Sequence, residues 1–138
     1  MRAGVDFFFY GTLRDRDMLS AVIGRRILSK AMIVARLPGY RCSAVSGRGF
    51  PGIVADESSS AEGVFVRNLS VREGQRLANF EGPFYLSQFL AIEFRNGGRD
   101  IALVFVPGSG LTLSDKSWDM DEWRRRHKRM FKRRRRAY

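Results

Sequence analysis

Residues 7–15 read FFFYGTLRD, and the stretch changes character at its middle. Phe7 to Tyr10 is apolar throughout, the pattern of a strand buried on both faces. Gly11 then breaks the run. Asp15 or Asp17 stands where a helix N-cap belongs, ahead of Met18, Leu19, Val22 and Ile23 at helical spacing, with Gly24 where a helix ends. The turn between strand and helix admits two readings. Gly-Thr is ordinary turn chemistry. A glycine turn in this place also aims several backbone N–H groups at one spot, which makes an anion-binding nest.

The rest of the chain sets the class. Its 138 residues suit one domain with a single core, and 44% apolar residues is a globular composition. Cys42 is the only cysteine, which excludes an intrachain disulfide and points to a reducing, cytoplasmic location. No apolar run approaches the ~20 residues of a membrane span. Met1 to Asp6 offers no lead-in to a signal peptide. The formal charge of +11 is local: residues 124–138 hold ten Lys or Arg and no acid, leaving 15 bases against 14 acids elsewhere. The body of the protein is electrically ordinary, so its charge says little about what the folded domain does.

Further along, Ala31 to Leu37 reads as a strand closed by Pro38-Gly39. A Ser/Gly-rich loop carries GFPGIV (residues 49–54), and DESSSAE (56–62) reads as an exposed turn. Glu62 to Arg67 is a strand. Ser70-Val71-Arg72-Glu73 is a capping box opening a helix that ends near Phe80 and Glu81, with Gly82 just beyond. Strands around Leu86–Arg95 and Ile101–Val106 flank Asn96-Gly97-Gly98, a hairpin signal. From Asp119 a last helix places Met120, Trp123, Met130 and Phe131 on one stripe. Strands outnumber helices without βαβ alternation, so the expected class is α+β, a mixed, curved sheet with helices packed outside it.

Few residues could carry chemistry. The single histidine, His127, lies within RRRHKR, where positive charge disfavours its protonated form, and one Cys with one His makes no zinc site. Cys42 lacks a histidine base and reads as a buried, inert thiol. Glu81 differs. It stands in NFEGPFY (79–85), where aromatic neighbours desolvate a carboxylate and the helix C-terminus opposes its ionisation. Both raise its pKa toward the range of a general acid/base at neutral pH. A partly exposed helix-end Glu is the plain alternative.

FFFYGTL, FPGIV, GVFVRNLS…LANFEGPFY and WDMDEWRRRHKRMF, in this order and spacing from about Phe7 to about Phe131, resemble the gamma-glutamylcyclotransferase superfamily, in its avirulence-induced-gene-like branch. The resemblance implies a small mixed β-barrel with flanking helices. It also implies an enzyme without cofactor or metal, in which a gamma-glutamyl substrate's own alpha-amine attacks its gamma-carbonyl and releases 5-oxoproline and an amine. Glu81 matches the family's catalytic Glu. Tyr10, Gly11, Thr12 and Leu13 match its substrate-binding loop, and Tyr85 joins them as a substrate-binding residue. Two positions depart from the family pattern: Ser87 stands where members often carry Arg, and Phe50 where many carry Tyr.

The expected organisation is a domain over 1–131, including an amphipathic helix at 119–131, followed by a basic tail at 132–138. Three functions compete: a cyclotransferase, an inactive metabolite-binding member of the same fold, and non-specific polyanion contact through residues 124–136 by counterion release.

Overall fold

The computed structural model describes residues 4–46 and 51–126, and its first strand, β1 (Val5–Phe9), shows why the apolar run is unbroken. Successive strand side chains face opposite ways. Phe7 and Phe9 join a buried cluster with Met18, Leu19, Val22 and Leu77. Phe8 and Tyr10 join a second cluster with Leu37, Ile53, Phe65 and Val104. The strand is therefore a wall between two cores, one under the helices and one inside the barrel.

Asp15 caps α1 (Arg16–Ile23) by accepting the Met18 N–H at 3.0 Å, and Gly24 ends the helix at φ 82°. Helix α2 (Val71–Glu81) opens with both halves of the Ser70/Glu73 capping box in place and closes on Gly82 at φ 86°. The remaining elements are β2 (Ile33–Val45), β3 (Pro51–Leu69), β4 (Tyr85–Phe94), β5 (Arg99–Pro107), β6 (Leu113–Ser117) and α3 (Met120–Arg126). The sheet runs β3-β1-β5-β4-β2-β6, and pairing of β3 with β2 closes the first five strands into a barrel. β1 and β5 run parallel while their other pairings are antiparallel, so the sheet is mixed. The class is the expected α+β barrel with flanking helices.

Two strand limits differ from those read in the sequence. β2 passes through Pro38-Gly39 instead of stopping there, and DESSSAE together with most of GFPGIV lies inside β3. Pro38 pairs with Ser60 and Tyr40 with Ala55, so residues 56–59 bulge opposite Gly39, which sits at φ 86°. Asp56 holds the bulge, accepting from the Ser58 N–H at 3.1 Å and from the Ser58 and Ser59 hydroxyls at 2.8 and 2.9 Å. The turn chemistry is real but local, and the ladder resumes on either side. The short strand β6, paired with the far half of β2, has no counterpart in the sequence expectation.

At Gly63 the backbone of β3 leaves no room for a side chain against β1. A Cβ there would lie 2.2 Å from the Phe9 carbonyl oxygen and 2.6 Å from the Phe8 ring. Gly63→Ala should therefore cost roughly 1–3 kcal/mol, as overpacking does, and lower the urea midpoint accordingly. An unchanged midpoint would mean that the two strands part there at no cost.

Helix α3 buries Trp123, 2% exposed, in the same cluster as Leu13 and α1, and Met120 packs against it. The expected continuation of this helix to 131, with His127, Met130 and Phe131, and the tail 132–138 lie outside the described residues. Of the basic segment 124–136, only Arg124, Arg125 and Arg126 are described. Cys42 is half-buried against the barrel core, and burial pushes its thiol up to about 11. Among the described residues no helix is long and apolar enough to cross a membrane.

Candidate active site

The strand β1 delivers its last residues to a cavity of about 30 Å³, room for little more than a water. Tyr10, Gly11, Thr12, Leu13, Glu81 and Tyr85 all line it. These are the six site residues expected from the sequence, drawn from segments some seventy positions apart. The sequence reading did not single out Phe8, Phe9, Pro51 and Phe105, which complete the wall. For Pro51 the FPGIV motif was the available signal. For Phe105 nothing local distinguished it from any other buried strand residue.

Each wall has a structural reason. After β1 the chain turns tightly as a 3-10 helix over Thr12–Arg14, closed by Arg14 N–H to Gly11 O at 3.0 Å and Asp15 N–H to Thr12 O at 3.1 Å. The first N–H groups of such a turn have no acceptor within it. Gly11 is required by close approach: a Cβ there would lie 2.8 Å from Pro51 Cγ. Pro51 opens β3 and is tied down by Tyr85, whose hydroxyl donates to the Pro51 carbonyl at 2.7 Å. The Tyr10 hydroxyl donates to the Phe105 carbonyl at 2.7 Å, linking the turn to β5.

Glu81 is the last residue of α2, and as a whole residue it is half-buried. Its carboxyl reaches an aromatic lining of Phe8, Phe9, Tyr10, Tyr85 and Phe105. Burial pushes that carboxyl up from 4.5 to about 8. Tyr10 is also raised well above its usual value, by burial first and then by the nearby Glu81, Tyr85 and Cys42. The site thus holds an acid that is poised near neutrality beside a turn of backbone donors. Among the described residues no group of three or more His, Cys, Asp or Glu side chains could hold a metal. Ser87 is exposed on β4, opposite Phe105 in the ladder, and Phe50 lies outside the described residues.

Residues 7–125 match the model of one protein family, described as gamma-glutamyl cyclotransferase, AIG2-like. The chain belongs to this family. It is similar to AIG2-like protein B of Arabidopsis thaliana, 23% identical over 91% of this chain and 73% of the relative. AIG2-like protein A of the same plant is 25% identical over 90% and 74%. The fold is that of an Arabidopsis thaliana protein solved in solution, with a TM-score of 0.70, 23% identity, and coverage of 96% of this chain and 88% of that one. A solved gamma-glutamyl cyclotransferase shares it at a TM-score of 0.61, 10% identity, and coverage of 80% and 69%. The four motifs read in the sequence therefore point to the family whose model matches.

Proposed function

We propose that this family member is a cyclotransferase acting on a small gamma-glutamyl amide, with Glu81 as the general acid/base. One observation carries the reading: the Glu81 carboxyl, its pKa raised by burial, and the Gly11–Leu13 turn share the wall of one cavity. Ionised Glu81 takes a proton from the substrate's alpha-ammonium. The free amine then attacks the gamma-carbonyl carbon, forming a C–N bond and placing negative charge on the oxygen. As that intermediate collapses, the original amide C–N bond breaks and the Glu81 carboxyl returns its proton to the leaving nitrogen. The extra proton on the new ring nitrogen passes to the released amine, which departs as an ammonium ion. No water is consumed, and Glu81 ends as it began.

Three physical effects divide the work. The Gly11–Leu13 N–H groups hold the substrate carboxylate or the developing oxyanion, in surroundings dry enough to strengthen the contact. The aromatic wall keeps the carboxyl pKa near the working pH, where one group can both accept and donate. Holding the glutamyl chain folded toward a five-membered ring supplies proximity.

The test is a panel of gamma-glutamyl dipeptides, gamma-glutamyl amines and glutathione, assayed for 5-oxoproline. At least one should yield 5-oxoproline with equimolar amine. If none does while some still bind, the cavity is a metabolite-binding site and the enzymatic reading fails.

A further inference from the structure

Asp15 is a junction. Its side chain is 4% exposed, and its two carboxylate oxygens serve different parts of the molecule. Oδ1 accepts the Met18 N–H at 3.0 Å and caps α1. Oδ2 accepts Nε of Arg124 at 2.9 Å, from a helix 109 residues further along the chain. The backbone N–H of the same Asp15 closes the 3-10 turn on Thr12 O. One residue therefore joins the cavity turn, the first helix and the C-terminal helix. Next to Arg124, Trp123 is buried in the same core cluster as Leu13 of the turn.

We infer that Arg124 is a positioning residue for the cavity: acting through Asp15, it fixes the orientation of the Gly11–Leu13 N–H groups. The inference rests on reading that turn as the anion holder. A buried carboxylate that loses a charged, hydrogen-bonded partner is driven to take up a proton or to shift toward water. Moving drags the Asp15 backbone, and with it the hydrogen bond that closes the turn. Donors aimed at a developing oxyanion tolerate little displacement; a shift near 1 Å can cost about 10²-fold. Arg124 suits the task because its planar Nε–H meets the carboxylate in one geometry, which the point charge of a lysine does not enforce.

A purely structural ion pair would change stability and leave the folded enzyme's kinetics alone. The decisive variants are therefore Arg124→Ala and Arg124→Lys, assayed well below their unfolding temperatures. Asp121→Ala serves as control, because Asp121 lies 3.8 Å from the same guanidinium on its exposed side. On the best gamma-glutamyl substrate, Arg124→Ala should lower kcat/KM roughly 10- to 100-fold, with Arg124→Lys between it and the wild type and Asp121→Ala unchanged. A second readout needs no turnover. The Arg14 and Asp15 amides are bonded to turn carbonyls at 3.0 and 3.1 Å, so their hydrogen exchange reports on the turn itself. In Arg124→Ala both should exchange at least tenfold faster, while amides in β5 keep wild-type rates. If wild-type protein proves inactive but this exchange quickens, the positioning role stands and only the cyclotransferase reading falls. Wild-type exchange at Arg14 and Asp15, or wild-type kcat/KM in a folded Arg124→Ala protein, overturns the inference.

Discussion

Glu81→Gln should lower 5-oxoproline formation by roughly 10²- to 10⁴-fold while leaving substrate binding nearly intact. The amide keeps the shape of the carboxyl and much of its hydrogen bonding but can neither take up nor release the proton that the reaction moves. The same carboxyl predicts the pH profile of the wild type. Burial places its ionisation near 8, so kcat/KM should climb with pH through that region as the base form appears. The Gln variant should show no such limb. Binding is measured by calorimetry and turnover by the 5-oxoproline assay, so the two effects separate. Wild-type turnover by Glu81→Gln would remove Glu81 from the chemistry. Loss of binding with unchanged kcat would instead make it a substrate anchor.

Local signals carried much of the fold. The Phe7–Tyr10 run, the Asp15 cap, Gly24 and the Ser70 capping box each name a short-range contact, and each is present. Where the sequence misled, tertiary pairing outweighed a local preference. Pro38-Gly39 and DESSS carry turn residues because the ladder bulges there, and a bulge uses the same chemistry as a chain reversal. Nothing within a strand says which of the two will happen; the partner strand decides. β6 escaped notice for a related reason: Leu113–Ser117 is polar and becomes a strand only because the far half of β2 offers an open edge.

The candidate site divides along the same line. Glu81 among aromatic residues and the Gly-Thr turn were legible because burial and turn geometry follow from adjacent residues. That both would face one cavity followed only from the family resemblance, since no local rule joins the end of β1 to the end of α2. The hydroxyl partners of Tyr10 and Tyr85 are main-chain carbonyls, which no side-chain pattern reveals. The Asp15–Arg124 pair was hidden twice over. Asp15 already had a sufficient role as a helix cap, and Arg124 stood first in a run of bases that read as one undifferentiated charge.

A titratable group buried for use should leave a mark on stability as well as on rate, and its sign is fixed. Glu81 ionises near 8 in the folded protein and near the usual 4.5 when unfolded. Below 4.5 both states hold the proton, and the carboxyl's contribution to stability is fully present. Between 4.5 and 8 the unfolded chain releases the proton while the folded protein keeps it, so stability falls with each rise in pH by up to about 1.4 kcal/mol per unit. Above 8 both states are ionised and the loss levels off. The total should be on the order of a few kcal/mol. The lowered carboxyls of Asp56, Glu73 and Glu93 act in the opposite direction, but they are common to wild type and Glu81→Gln and cancel in the difference. Urea unfolding of both proteins at pH 5 and pH 8.5 should therefore show Glu81→Gln gaining on the wild type as pH rises, and overtaking it if the two are matched at pH 5. Parallel curves would show that Glu81 titrates as an ordinary exposed carboxylate. The acid/base role would then lose its physical basis, whatever the variant's activity.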